Sequence, residues 1–220
     1  MARFGIHGRK VYGISPPQLK RLARQVGKDH LLAQALWSSG AYEARLLACY
    51  VENPADVTRS QMDRWAHDFD NWAVCDGCCL HLFLKVPFAR ERVAAWCVRN
   101  QEFVKRAGFS MMAVLAVHDK KAGNALFLRW LRLIQDASRD ERNFVKKAVN
   151  WALRQIGKRN KGLNRAAIQA ARAIQKLDSS SARWIAADAL RELMIDAVQK
   201  RLQKGKIEKT RQTRRVKAKP

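Results

Sequence analysis

The pentapeptide Phe103-Val104-Lys105-Arg106-Ala107 returns 41 positions later as Phe144-Val145-Lys146-Lys147-Ala148. A period of that length suits a repeating pair of helices, because one such pair cannot bury its apolar faces alone and must stack on the next. Composition agrees. Thr occurs only three times, while Ala, Leu, Arg and Lys dominate, which favours helix over strand on intrinsic preference. Ser15 followed by Pro16 and Pro17 reads as an N-cap with proline in the first turn, and Asp140-Glu141 places acid at the start of another helix. The predicted fold is all-α, with helices near 16–26, 29–38, 41–52, 58–69, 71–84, 88–99, 101–117, 121–136, 140–157, 162–176 and 180–203. Short connections carry Gly27, Gly40, Asn53-Pro54, Pro87, Asn100, Gly157 and Gly162.

Stacked antiparallel pairs of this kind form a HEAT-like or ARM-like solenoid, whose inner row of helices lines a concave surface. Residues 1–203 are expected to be one helical-repeat domain. Residues 204–220 have almost nothing apolar to bury and read as a flexible basic arm. The chain of 220 residues carries 43 Lys and Arg against 19 Asp and Glu, a net charge of +24. Segment 200–220 holds ten of those cations and one acid, Glu208, so a large excess remains on the helical part. Such a field attracts polyanions, nucleic acid first, and the helical surface is expected to form a basic groove.

The longest apolar run, Met111 to Val117, is far below the roughly 20 residues of a spanning helix, so no membrane is expected as a partner. The N-terminus lacks the apolar stretch of a secretion signal, which points to a cytoplasmic protein. Cys49, Cys75, Cys78, Cys79 and Cys97 are odd in number and mostly flanked by Ala, Leu and Trp, so they read as small hydrophobes without a disulfide framework.

Two segments could carry chemistry. At about 100° per residue, Val145, Val149, Ala152, Leu153 and Ile156 share one helix face, while Lys147, Trp151, Arg154 and Lys158 lie nearly opposite. A tryptophan among cations is either covered by a second layer of helices or faces DNA, where its ring meets bases or sugars and the cations neutralise the backbone. In the second segment, Trp72 and Asp76 are one turn apart, and Asp76 is the only acid between Trp72 and Arg90. This carboxylate is either an ion-pair partner or a fixed charge kept where a reaction develops positive charge.

Other chemistries find little support. Cys75, Cys78 and Cys79 with His81 form a lopsided cluster with no second motif to close a tetrahedron, so no metal is expected. The five histidines are scattered, neither a P-loop nor a dinucleotide fingerprint is present, and no cofactor is implied.

The chain resembles the alkylpurine DNA glycosylases built from HEAT-like repeats, the DNA alkylation repair proteins. The resemblance rests on Tyr12-Gly13-Ile14-Ser15-Pro16-Pro17-Gln18-Leu19-Lys20, on Leu36-Trp37-Ser38-Ser39-Gly40-Ala41-Tyr42-Glu43-Ala44-Arg45-Leu46-Leu47-Ala48, and on Asn71-Trp72-Ala73-Val74-Cys75-Asp76. It continues through both copies of the pentapeptide to Arg154, so the ordered set spans roughly residues 12–158.

This resemblance implies a right-handed or C-shaped solenoid around duplex DNA, with a catalytic aspartate matched by Asp76 between two tryptophans matched by Trp72 and Trp151. Arg106 and Arg154 match phosphate-gripping arginines; Lys105, Lys147 and Lys158 are expected, apart from the resemblance, as further DNA contacts. The implied reaction is hydrolysis of the N-glycosidic bond of cationic N3- or N7-alkylated purines; a solenoid that encloses DNA by itself is expected to be a monomer. Relative to that family the N-terminal helices look shortened and the tail from Lys204 looks added. A non-catalytic solenoid that holds branched DNA or structured RNA is the alternative, and a scaffold that binds acidic peptides is a third reading.

Overall fold

The computed structural model describes residues 10–203, and among them there is no strand. Among the described residues the α-helices follow in order: α1 (Pro16–Val26), α2 (His30–Ser38), α3 (Tyr42–Val51), α4 (Arg59–His67), α5 (Trp72–His81), α6 (Ala89–Cys97), α7 (Glu102–His118), α8 (Asn124–Ala137), α9 (Asn143–Gly157), α10 (Lys161–Gln175) and α11 (Ser180–Met194), with a further helical segment after α11. Phe83–Lys85 forms a 3-10 turn after α5. Most starts and ends lie within one to three residues of the sequence expectation.

One helix was expected over 180–203, but α11 stops at Met194 because Ile195 takes an extended conformation (ψ 147°), and helix resumes over 196–203. The basic arm, 204–220, lies outside the described residues. The helical part divides into two compact units, with the boundary between Val114 and Leu115 inside α7.

In the first unit α3 packs on α1, α2 and α5, so a helix meets both its chain neighbour and the next helix but one. That is the stacking a helix-pair repeat requires. A second row runs α2, α4, α6. Trp37 of α2 stacks on Trp65 of α4 (3.9 Å between ring centroids, 3° between planes). Their neighbours Asp68 and Asp63 accept hydrogen bonds from the indole nitrogens of Trp37 and Trp96, each at 2.8 Å. Buried indoles need such acceptors.

The N-terminal segment is tied down by Glu43 of α3, almost fully buried, which accepts from the backbone N–H groups of Tyr12 (2.9 Å) and Gly13 (2.8 Å). Two of the sequence motifs are thus halves of one contact.

The second unit repeats the scheme: α8 packs on α9 and α10, and α11 on α9 and α10. The amphipathic reading of α9 holds, since Val145, Val149, Ala152, Leu153 and Ile156 are all fully buried. The pentapeptide echo holds too: each copy begins one residue inside its helix, and Val104 and Ala107 are buried like Val145 and Ala148.

One glycine fixes the packing beside the candidate site. A Cβ on Gly108 of α7 would fall 2.7 Å from Cys97 Sγ, 2.8 Å from Cys97 N and 3.1 Å from Val93 O, so α7 approaches the α6 backbone too closely for any side chain there. This approach sets the height of α7, and with it the positions of Arg106 and Ser110.

Candidate active site

Asn71 caps α5, its side chain accepting from Ala73 N (3.1 Å) and Val74 N (3.0 Å), which satisfies two orphan donors of the first turn. The cap fixes the phase in which α5 presents Trp72 and, one turn later, Asp76; both are half-buried. Asp76 faces α7. Its Oδ1 accepts from Arg106 Nε (3.0 Å) and Ser110 Oγ (2.7 Å), and its Oδ2 from Arg106 Nη2 (2.6 Å). The Arg106 side chain is 7% exposed and that of Asp76 21%. Burial alone would depress the pKa of Arg106, but the Asp76 carboxylate outweighs it and holds the guanidinium charged, above its ordinary value.

Arg106 was expected at a DNA phosphate. The structure instead turns its fork inward onto Asp76, because the residue sits on the α5-facing side of α7, where an unpaired guanidinium would bear its full desolvation cost. A carboxylate oxygen offers about two lone-pair sites. Oδ1 has both filled, while Oδ2 keeps one open among the described residues. Lys105, next along α7, is half-buried.

The other candidate residues lie in the second unit. Trp151 is half-buried and Lys147 exposed on α9. Arg154 and Lys158 both reach Glu192 of α11, Arg154 Nη1 at 2.5 Å from Oε2 and Lys158 Nζ against Oε1. Arg154 also lies 3.5 Å from Asp188, whose Oδ2 accepts from Asn150 Nδ2 (2.7 Å) and whose Oδ1 pairs with Arg191. Burial would raise the Glu192 pKa, but Lys158 and Arg154 overcome it and hold the carboxyl below its ordinary value.

Sequence reasoning singled out neither Ser110, Asp188 nor Glu192. Each is placed by long-range pairing between stacked helices, and the only signal was α-helical spacing: Trp184, Asp188 and Glu192 recur one turn apart on α11. Trp184 is exposed, with Lys146 Nζ 5.7 Å from its ring.

All five cysteines are free and buried. Burial pushes the thiols of Cys78, Cys79 and Cys97 well above their ordinary pKa, so they pack as apolar groups. Among the described residues no three His, Cys, Asp or Glu converge as a metal site, and no helix is long and apolar enough to cross a membrane.

A solved structure, from a new family of proteins related to the HEAT-like repeat DNA glycosylases with affinity for branched DNA structures, matches with a TM-score of 0.71 at 19% identity. The match covers 86% of each chain and establishes a shared fold. A designed armadillo repeat protein in complex with the peptide (KR)4 matches at a TM-score of 0.39 and 14% identity, over 85% of this chain and 89% of its own. No curated protein matches the sequence. Residues 1–193 match the family described as DNA alkylation repair enzyme, and the all-α HEAT-like chain belongs to that family.

Proposed function

We propose that the protein is a DNA glycosylase that hydrolyses the N-glycosidic bond of purines alkylated at N3 or N7 in duplex DNA. The observation that carries this reading is the state of Asp76: a carboxylate paired with Arg106, fixed by three donors and left partly exposed. An N3- or N7-alkylated purine already bears a positive charge, so it departs as a neutral base without being protonated. Positive charge then builds on the deoxyribose. A fixed anion beside that sugar stabilises the transition state more than the ground state, and Oδ2 can orient the attacking water and take its proton. Arg106 and Ser110 act as positioning residues, since they hold the carboxylate still and need not reorganise during the reaction. Trp72, one turn before Asp76, offers an electron-rich ring to a cationic nucleotide. In the second unit Lys147, Trp151, Arg154 and Lys158 supply contacts to the DNA, with Lys105 doing so from the first.

The test is incubation of the purified protein with methylated duplex, followed by measurement of free 7-methylguanine and 3-methyladenine. Release is expected, and Asp76→Asn should lower its rate by about 10²- to 10³-fold, as when one electrostatic stabiliser is deleted, while DNA binding persists. Undiminished release by the variant overturns the role of Asp76.

A second reading, a non-catalytic protein that holds branched DNA, draws on the affinity described for the fold relative. It predicts tight binding of a four-way junction with no base released at any protein concentration.

A further inference from the structure

A second cleft lies wholly within the first unit and uses none of the residues assigned to base release. Lys20, Ala23 and Arg24 of α1, the Gly27-Lys28 turn, Tyr50 of α3 and His81 of α5 border an open cleft of about 450 Å³. This volume falls in the range of small-molecule sites. Its floor is aromatic: the Tyr50 and His81 rings lie 4.8 Å apart, tilted by 49°, and both residues are half-buried. Its rim is cationic. Lys20 and Arg24 sit one turn apart on the same face of α1, a spacing at which like charges repel unless an anion lies between them. Lys20 Nζ is 6.0 Å from the Tyr50 ring centroid.

Among the described residues no carboxylate lines the cleft. Buried Glu52, the acid whose charge acts on Lys28, is occupied by His30 (2.9 Å), Gln34 (3.1 Å) and Gln61 (2.7 Å). Lys28 is engaged as well, its ammonium donating to Tyr50 O (2.8 Å) and Glu52 O (2.9 Å) at the C-terminus of α3. Gly27 permits this return of the chain, with φ 80°. Among the described residues that line the cleft, Lys20 and Arg24 are therefore the cations left to meet a ligand, above two half-buried rings.

We propose that this cleft binds a nucleoside monophosphate unit, its phosphate against Lys20 and Arg24 and its base against Tyr50 and His81. A dianionic phosphate matches two adjacent cations, and a planar base matches two half-buried rings. The unit is either a free nucleotide or the 5′-phosphorylated end of a DNA strand, since both present the same chemistry. His81 supplies an internal reporter. Burial, then Lys20 and Lys85, push its pKa down to about 4, so it is neutral at pH 7. A bound phosphate counters the two lysines and pushes that pKa up, against the burial that a stacked base adds.

The experiment titrates the full chain with adenosine 5′-monophosphate and follows the His81 ring resonances by NMR. Support consists of a saturable shift of the His81 ring resonances and at least a tenfold weaker affinity in Lys20→Ala/Arg24→Ala. Both residues are exposed, so that variant should keep its helical circular dichroism. Tyr50→Leu should weaken adenosine 5′-monophosphate while leaving inorganic phosphate unchanged. The source is read from two duplexes identical except for a 5′-phosphate or 5′-hydroxyl end. Tighter binding of the first, abolished in the double variant, assigns the site to DNA ends; equal binding of both, with the mononucleotide still bound, assigns it to a free nucleotide. No His81 shift at millimolar nucleotide, or equal affinity in the double variant, overturns the proposal. Release of methylated bases from internal sites is expected to proceed in the double variant.

Discussion

Both units rivet neighbouring helices with ion pairs, but they leave opposite signs of charge facing outward. Between α5 and α7 a single carboxylate meets a single guanidinium, and the anion is the more open member: 21% against 7%. Between α9 and α11 two acids, Asp188 and Glu192, meet Arg154, Lys158 and Arg191, and the cations are the more numerous and in part the more open. Arg191 is 74% exposed and Arg154 29%, against 18% for Asp188 and 25% for Glu192. A molecule that approaches the first rivet meets a carboxylate edge, and one that approaches the second meets a surplus of positive charge. Other acids, Asp63 and Asp70 among them, are also more open than their arginines. What sets the first rivet apart is the burial of its guanidinium, 7% exposed, beneath the carboxylate proposed to act on the sugar.

Removing one partner from each rivet separates the two most directly. Arg106→Met leaves Asp76 with Ser110 alone in a mostly buried setting and should lower stability by about 3 kcal/mol, the lower end for a broken buried pair because Asp76 is partly solvated. Glu192→Gln leaves Arg154 the neighbouring Asp188 and both cations some access to water, so about 1 kcal/mol is expected. Urea unfolding of the two variants gives both numbers. Equal destabilisation would mean that the two rivets are energetically alike.

The glycines extend the contrast. At Gly108 an added methyl meets the α6 backbone, which cannot step aside, so Gly108→Ala should cost about 2 to 3 kcal/mol. At Gly157 of α9 the same methyl meets chiefly the Leu193 side chain, whose tip can rotate, and about 1 kcal/mol is expected. Because Gly108 lies two residues from both Arg106 and Ser110, its variant should also slow base release at temperatures where the protein remains folded. Normal release would detach the height of α7 from the geometry at Asp76.

What could be read from the sequence follows the range of the interaction. The phase of α9 was legible because it depends on residues three and four apart, and so were the local caps, as Ser15 shows at the start of α1. The pentapeptide echo revealed the repeat because equivalent helices bury equivalent positions. Asp76 was legible as an isolated acid, but its partner was not: Arg106 and Ser110 are 30 and 34 residues away, and nothing local separates an arginine that forks onto a carboxylate from one that grips a phosphate. The break at Ile195 was hidden in a run of good helix formers for the same reason.

A smaller effect is expected at the DNA. If the outward cations of the second unit meet phosphates, Arg154→Ala should reduce the slope of log K against log salt by about 0.9 for each phosphate it no longer neutralises. Asp76→Asn should leave that slope unchanged, since it removes no cation. An unchanged slope in Arg154→Ala would confine this arginine to its pairing with Glu192 and Asp188.

The start of α11 carries the mildest prediction, one of pH. α5 is capped by its immediate neighbour Asn71, but α11 draws on Ser179 and also on Glu141, about 40 residues earlier. Asp140-Glu141 was expected to open α9; instead Asp140 pairs with Arg142, and Glu141 accepts from Ser180 Oγ (2.7 Å), Ser181 N (3.1 Å) and Ser179 Oγ (2.8 Å). Those bonds, that of Ser180 first, hold the Glu141 carboxyl down to about 2. A carboxyl depressed in the folded state binds its proton more readily when unfolded. Its contribution is therefore complete above the ordinary value of 4.5 and disappears as pH falls through about 2. Glu141→Gln should accordingly flatten the fall in melting temperature between pH 4.5 and 2 and leave its shape above pH 5 unchanged. An identical acid limb in the variant would mean that the three serine donors contribute nothing to holding α11 in place.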